Sequence, residues 1–202
     1  MNRNQRQTRG GRNLDITFSQ PTRDLLQATG GHIFYCFNHL ERYIENAASY
    51  ILSGIRQGDY VFLIENERIY PAIVQKVKAQ LTESQLNQLV HVNNFDFYWS
   101  YGDFHTSSII ANFSRMLHPY DEKEFSIRTW AHVEWGNEQE ITQKISEFEV
   151  EANHSVQSMN LVSVCAYDGD RITEPLRDSL LKSHQCHMKD DGILPLDHPR
   201  IQ

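Results

Sequence analysis

Four carboxylates in this sequence stand where apolar runs give way to loops, and these residues are the best placed to do chemistry. Aromatic and amide side chains accompany them. The carboxylates are Glu65, Asp103, Glu134 and Asp168, and their companions are Asn38, Tyr101, Trp135 and Tyr167. Such a set could bind a small molecule by hydrogen bonds and stacking, coordinate a divalent cation, or act in acid–base catalysis with His105 as a base.

A purely structural role could also explain the presence of each candidate residue. Asp168-Gly169 also fits a plain turn, because Asp, Asn and Gly are common turn formers and helix caps. Glu134 follows His132 and Arg128 at a spacing of two, so a cation on the same strand face could hold it in place. A structural salt bridge explains that spacing equally well.

The elements that must position these residues are strands alternating with helices. Strands are predicted at 32–37, 60–64, 91–99, 126–135 and 161–167, and an edge strand at 185–188. Helices are predicted over 40–56, from near Pro71, from Thr82 to about Leu89, and around 109–117, where Pro119 ends the helix. A long helix is predicted after Asn137, which would be its N-cap residue with Glu140 at the third position. A last helix is predicted from Thr173 to about Ser183.

In the predicted fourth strand, apolar residues alternate with a mixed set that includes Arg128, Trp130 and His132. The other strands are nearly continuous apolar runs, which is typical of strands covered on both faces. We therefore expect an α/β fold with three layers, in which helices cover both faces of a mostly parallel sheet. Ligands bind beyond the carboxyl ends of such strands, where the candidate carboxylates stand.

Composition narrows the class of protein. The 202 residues carry a net charge of -7, which argues against nucleic acid as the main partner. No apolar stretch is long enough to cross a membrane, and no secretory signal is visible, so we expect a cytoplasmic protein. Residues 1–24 are expected to be a disordered basic tail, and residues 25–202 a single domain.

Motifs for phosphate loops, dinucleotide loops and nucleophile elbows are absent from the sequence. His184, Cys186 and His187, with His198 nearby, include zinc-ligand types, but they lack a spaced second pair, so no metal site is predicted there. Cys36 and Cys165 lie in apolar runs and are expected to be reduced core residues. The sequence does not identify a cofactor.

One combination of motifs resembles a known family. HIFYCF, GDYVFLIEN, RTWAHVEWG, EFEVEAN and LVSVCAYDG follow in this order between about residues 30 and 196. Together they resemble the MEDS domain, the sensory domain of methanogen and methylotroph regulators. The resemblance implies a RecA/KaiC-like fold without its phosphate loop and a role in sensing small molecules, proposed for hydrocarbon derivatives. It also marks family positions, which here are His32, Glu65, Glu134, Glu149, Asn153, Tyr167 and Asp168.

Three functions are compatible with these observations. The leading hypothesis is a regulatory sensor that binds a small molecule at the carboxyl edge of the sheet. Because no DNA-binding helix-turn-helix is recognisable, its output would pass through a signalling partner protein or a homo-oligomer. The alternatives are a metal-dependent enzyme that uses the strand-end carboxylates and a protein-interaction module without a ligand.

Overall fold

The computed structural model describes residues 31–100, 102–121, 125–136, 140–189 and 192–196. Within these ranges, seven strands form one sheet in the order β3-β2-β4-β5-β1-β6-β7. The strands are β1 (Gly31–Phe37), β2 (Tyr60–Glu65), β3 (Leu89–Asn93), β4 (Ile127–His132), β5 (Val162–Asp168), β6 (Cys186–Lys189) and β7 (Gly192–Pro195). All described pairings are parallel except that of β6 with β7.

Helices follow most of the strands. They are α1 (Leu40–Arg56), α2 (Tyr70–Lys78), α3 (Glu83–Leu86), α4 (Asn94–Tyr98), α5 (Thr106–Asp121), α6 (Ile141–Ser158) and α7 (Glu174–Ser183). Local signals set several of their ends. Thr82 and Gln85 form the predicted capping box at α3, and the Thr173 hydroxyl accepts a hydrogen bond from the backbone N–H of Leu176 at α7. Among the described helices, none has the length and apolar character needed to cross a membrane.

Alternating residues of the strands belong to two separate cores. On β1, Ile33 and Tyr35 pack in the core beneath α1 and α2, whereas Phe34 packs in the core beneath α5, α6 and α7. Side chains that alternate along a strand point to opposite faces of the sheet, so helices cover both faces. The predicted α/β fold with three layers and a mostly parallel sheet is confirmed, whereas the likeness to RecA and KaiC stays a prediction.

Several predictions about element ends and sheet position were wrong. The third strand ends at Asn93, because the Asn93 side chain accepts hydrogen bonds from the backbone N–H groups of Phe95 and Asp96 and thereby starts α4. Pro119 lies inside the last turn of α5, and the helix continues past it to Asp121 although proline lacks the N–H that would bond to the carbonyl four residues back. The strand after α7 is not an edge strand, because β7 pairs with its outer side.

The start of α6 also differs from the prediction. Glu140 is the N-cap residue, with φ of 62°, and does not occupy the third helical position. The proposed Asn137 cap lies outside the described residues, as do Tyr101, His198 and the basic tail at 1–24.

Gly54 marks the closest approach of α1 to the sheet. A Cβ atom there would lie 2.6 Å from Cδ of Arg128 and 2.8 Å from Cγ2 of Val61. Gly54→Ala should gain about 1 kcal/mol of helix propensity but lose about 1–3 kcal/mol through overpacking. We therefore expect a net loss of stability in urea unfolding. Ser53→Ala, on the neighbouring position, should change stability little, and a stabilised Gly54→Ala variant would contradict the close packing.

Candidate functional site

Glu65 is held in a closed network on the α1 face of the sheet. Its side chain is fully buried, and Oε1 accepts hydrogen bonds from the backbone N–H of Asn66 at 2.8 Å and pairs with His132 Nδ1 at 2.8 Å. Oε2 accepts a hydrogen bond from the Tyr43 hydroxyl. Trp130 Nε1 in turn donates to the Tyr43 oxygen at 3.0 Å. The predicted strand-end carboxylate therefore organises the protein interior at this edge.

Tyr43 is a hydrogen-bond donor in this network. Burial, reinforced by the negative charge of Glu65, raises the pKa of the Tyr43 phenol well above its ordinary value. The phenol consequently keeps its proton at neutral pH and donates a hydrogen bond to Glu65. A ligand that approached this edge of the sheet would reach Glu65 only by displacing one of these partners.

Glu134 and Trp135 form a second group with Arg171, which follows β5. Arg171 Nη1 donates a hydrogen bond to Glu134 Oε1, and Arg171 Nη2 donates to the backbone carbonyl of Trp135. The guanidinium carbon also lies 4.1 Å from the centroid of the Trp135 ring, a cation–π distance.

The cation beside Glu134 is therefore Arg171, and the expectation of His132 or Arg128 was wrong. The physical reason is that β4 ends at His132, so the strand spacing of two no longer applies at Glu134. His132 pairs with Glu65, and Arg128 pairs with Asp59.

The remaining strand-end candidates have separate partners. Asp168 caps the short 3₁₀ turn Gly169–Arg171 by accepting a hydrogen bond from the N–H of Asp170 at 3.0 Å. Asp103 is half exposed, and its carboxylate lies 4.0 Å from Lys144 Nζ. Asn38 is exposed at the end of β1. Their roles in ligand binding stay predictions.

A different set of residues meets on the opposite face of the sheet, under α6 and α7. His32 of β1, Glu149 of α6, Cys165 of β5 and His184 at the end of α7 are all buried, and one potential metal-binding atom of each lies within 4.8 Å of the others. His32 Nε2 is 3.2 Å from Glu149 Oε2 and 3.3 Å from Cys165 Sγ. His184 Nε2 is 3.5 Å from Glu149 Oε2. We call these four residues the buried cluster.

Neighbouring side chains support the buried cluster. The Tyr167 hydroxyl donates a hydrogen bond to Glu149 Oε1. Gln185 links two elements, because its Oε1 accepts from the backbone N–H of His32 at 2.7 Å and its Nε2 donates to Asn153 Oδ1 at 2.7 Å. Four of the family positions, His32, Glu149, Asn153 and Tyr167, are thus brought together beneath α6.

Burial and neighbouring side chains together shift the pKa values of the cluster. Burial alone raises the pKa of Glu149, but His184, His32 and Tyr167 together outweigh it and hold this pKa below its ordinary value. Burial, with a smaller contribution from His32, lowers the pKa of His184 to about 3. Burial and the Glu149 charge raise the pKa of the Cys165 thiol and of the Tyr167 phenol. The neighbouring side chains thus favour the charged form of Glu149, whereas burial disfavours the charged form of His184.

A small cavity adjoins the buried cluster. His32, Ser163 and Cys165 form the polar part of its wall. The centre of a water-sized molecule can occupy about 20 Å³ of it, which is somewhat more than a single water requires. The rest of the wall is made of Ile64, Phe97, Tyr98, Ile110, Phe113, Ala131, Phe148, Ala152 and Val156. The wall of the cavity is thus mainly apolar and contains a few polar groups.

Sequence reasoning missed two members of the buried cluster. Cys165 was interpreted as a core residue, and His184 was considered only with its sequence neighbours Cys186 and His187. The sequence did show that Ser163, Cys165 and Tyr167 share one strand face. The approach of His184 to this face depends on the pairing of β6 with β1, a contact between distant segments that no local pattern encodes.

Comparison with known proteins gives one family. The search of curated proteins found no match. The profile of the family described as the methanogen/methylotroph, DcmR sensory domain (MEDS) matches residues 31–185, a span that includes the whole buried cluster. Because this match covers well over half of the 202 residues, the chain belongs to the MEDS family of sensory domains.

Proposed function

We propose that this domain senses a small molecule with an apolar body and one polar group, bound in the cavity beside the buried cluster. A signal-sensing role follows from membership in a sensory family. The observation that supports the ligand and its position is a small cavity with a largely apolar wall that also includes His32, Ser163 and Cys165. Binding sites for small molecules commonly combine apolar walls with a few well-placed polar groups.

The wall chemistry selects the class of ligand. Aromatic and aliphatic side chains from α4, α5 and α6 would contact the apolar body, and removal of this body from water would provide most of the affinity. His32, Ser163 and Cys165 would discriminate the polar group, because a polar group without partners is costly inside a protein. The Ser163 hydroxyl already accepts a hydrogen bond from Thr129 at 2.7 Å, so its oxygen has a fixed position.

The size of the cavity restricts the ligand to a few non-hydrogen atoms unless the helices move. Short alcohols, thiols and halogenated methanes have suitable size and polarity, and they belong to the hydrocarbon derivatives that the family resemblance implies. A larger ligand would have to push α4, α5 or α6 away from the sheet. Such a displacement would change the outer surface of these helices, where a signalling partner protein or a second copy of the chain could detect it.

Thermal unfolding in the presence of such molecules tests the proposal. A ligand that binds only the folded state stabilises it by about 2.7 kcal/mol at one hundred times its dissociation constant. Ala152→Leu should fill the cavity and abolish this stabilisation, because Ala152 lies in the cavity wall. Val150→Leu, on the exposed side of the same helix, should retain it.

Glu134→Gln distinguishes the two positions for the ligand. It alters the carboxyl edge of the sheet without touching the cavity, so stabilisation by the ligand should persist. Loss of stabilisation in Glu134→Gln, together with its retention in Ala152→Leu, would place the ligand at the carboxyl edge and contradict the cavity. No stabilisation by any of these compounds would favour an interaction module without a ligand.

A further inference from the structure

We infer that the buried cluster of His32, Glu149, Cys165 and His184 is a binding site for a divalent transition-metal ion such as Zn²⁺. This inference goes beyond the proposed function, because sensing a small molecule in the cavity requires no metal. It concerns residues different from the strand-end carboxylates of the enzyme hypothesis.

The donor set matches the chemistry of these ions. Two imidazoles, a thiol and a carboxylate come together from β1, α6, β5 and the end of α7. Histidine nitrogen, cysteine sulfur and carboxylate oxygen are the usual protein ligands of Zn²⁺, whereas calcium and magnesium prefer sites made only of oxygen. A mixed nitrogen, sulfur and oxygen site therefore favours zinc or a neighbouring transition metal.

The distances between donor atoms are close to those of a tetrahedral site. Bond lengths of about 2.0–2.1 Å to nitrogen or oxygen and about 2.3 Å to sulfur place donors about 3.3–3.6 Å apart around a tetrahedral ion. The cluster has 3.2 Å and 3.5 Å between Glu149 Oε2 and the two histidine Nε2 atoms, and 3.3 Å between His32 and Cys165. All remaining separations are within 4.8 Å, so the other donor pairs must move closer together when the ion binds.

The stacked histidines identify the rotation required. The rings of His32 and His184 lie with their centroids 3.9 Å apart and their planes 23° from parallel. Two parallel rings cannot both direct a nitrogen lone pair at one ion, so metal binding must splay them. The four donors are therefore assembled in the protein, and the ion sets their final angles.

Hydrogen bonds with residues outside the buried cluster already orient His184 and Glu149. His184 Nδ1 lies 2.7 Å from the backbone carbonyl of Leu180, so Nδ1 carries the ring proton and Nε2 presents a lone pair to the cluster. Tyr167 holds Glu149 by its other oxygen, Oε1. Metal-binding histidines and carboxylates commonly have such supporting hydrogen bonds, which fix their orientation.

The electrostatics of the cluster also suit a cation. Within the described part of the chain, the buried Glu149 Oε2 has no hydrogen-bond partner of acceptable geometry. A buried polar atom without a partner destabilises the fold, and a metal bond would offset this loss. Cysteine binds such an ion as the thiolate and releases its proton to solvent. Thiolate and carboxylate together would then neutralise the double charge of the ion in a fully buried site.

Metal analysis and cobalt substitution test this inference on the full chain. Protein produced in zinc-supplemented medium, after removal of loosely bound ions by dialysis, should contain one ion per chain by elemental mass spectrometry. Addition of Co²⁺ to the metal-free protein should give the visible absorption of a tetrahedral site and a near-ultraviolet band of thiolate-to-cobalt charge transfer. This band should be lost in Cys165→Ser and retained in Cys186→Ser, a matched control at another buried cysteine.

The inference fails if the folded wild-type chain binds neither ion, or if the charge-transfer band survives in Cys165→Ser. Should Cys165→Ser not fold, retention of the band in both Cys36→Ser and Cys186→Ser assigns it to Cys165, the third cysteine of the chain. Loss of the tetrahedral absorption in His184→Gln then tests the histidine ligand. Stoichiometric metal with no small-molecule stabilisation would support the metal site and reject the proposed ligand. Stabilisation by a small molecule in a chain that binds no metal would reject the metal site and leave the proposed ligand standing.

Discussion

Arg128→Met should lower the free energy of unfolding by about 3 kcal/mol, measured by urea denaturation. Arg128 Nη2 pairs with Asp59 Oδ2, and the two side chains are only 10% and 9% exposed. Methionine preserves much of the apolar stem but leaves the Asp59 carboxylate without its cation. Removing one member of a buried ion pair typically costs about 3–5 kcal/mol, and the slight exposure of this pair places it at the lower end.

Two comparisons separate the charge from the packing. Arg42→Met removes an arginine from an ion pair with Glu45 whose side chains are 47% and 43% exposed, so it should change stability by less than about 1 kcal/mol. The double variant Arg128→Met/Asp59→Asn should recover part of the loss, because no uncompensated charge remains. A double variant no more stable than Arg128→Met would show that stem packing, not charge, gives Arg128 its effect.

Arg128 also shows where sequence reasoning about the fold reached its limit. Alternation along β4 predicted a mixed face containing Arg128, Trp130 and His132, and the structure buries all three. β4 lies inside the sheet between β2 and β5, and α1 covers this face. A polar residue that has a buried partner gives the same alternating pattern as a polar residue in water, so periodicity alone could not distinguish them.

Elements determined by local chemistry were predicted well. Helix α1 was predicted with the bounds that the structure has, because its apolar stripe and Gly58 are signals within one segment. Capping at Thr82 and Thr173 likewise depends on residues within three positions. The predicted strand at 91–99 failed because its apolar residues continue through Asn93, where a side-chain cap turns the chain into α4.

The candidate site was only partly accessible from sequence. The rule that ligands bind beyond the carboxyl ends of parallel strands pointed to Glu65, whose partners instead make it part of a buried network. His32 lies at the opposite end of β1, near its start, and the rule could not select it. Only the family resemblance marked His32 and Glu149, and only the folded chain joins them to Cys165 and His184.

The two polar networks lie on opposite faces of the sheet and differ in how fully their polar atoms are hydrogen-bonded. The network around Glu65 on the α1 face is closed by hydrogen bonds from Tyr43 and Asn66, so it is suited to hold the sheet edge rigid. The buried cluster on the α6 face adjoins a small cavity and contains a carboxylate oxygen that the described residues leave without a hydrogen bond. The polar groups around Glu65 are therefore more fully hydrogen-bonded than those of the buried cluster.

Trp130→Ala is expected to lower the free energy of unfolding by about 3–5 kcal/mol, the usual cost of removing a large buried aromatic side chain. Trp130 is fully buried on β4, and its ring lies 5.7 Å from Tyr35, 5.8 Å from Tyr43 and 5.3 Å from Tyr50, measured between centroids. Truncation would open a cavity among these tyrosines, which are held by the sheet and α1 and cannot readily fill it. Calorimetry or urea denaturation measures the loss.

Trp130→Phe separates this packing from the hydrogen bond between Trp130 Nε1 and Tyr43. Phenylalanine retains most of the apolar contact but donates nothing to the Tyr43 oxygen, so it should cost about 1 kcal/mol for the lost bond and a further amount for its smaller size. If the bond also holds Tyr43 against Glu65, hydrogen exchange at the Asn66 amide, which donates to Glu65, should accelerate in Trp130→Phe. Unchanged exchange with an equally large loss of stability would mean that the Glu65 network does not depend on Trp130.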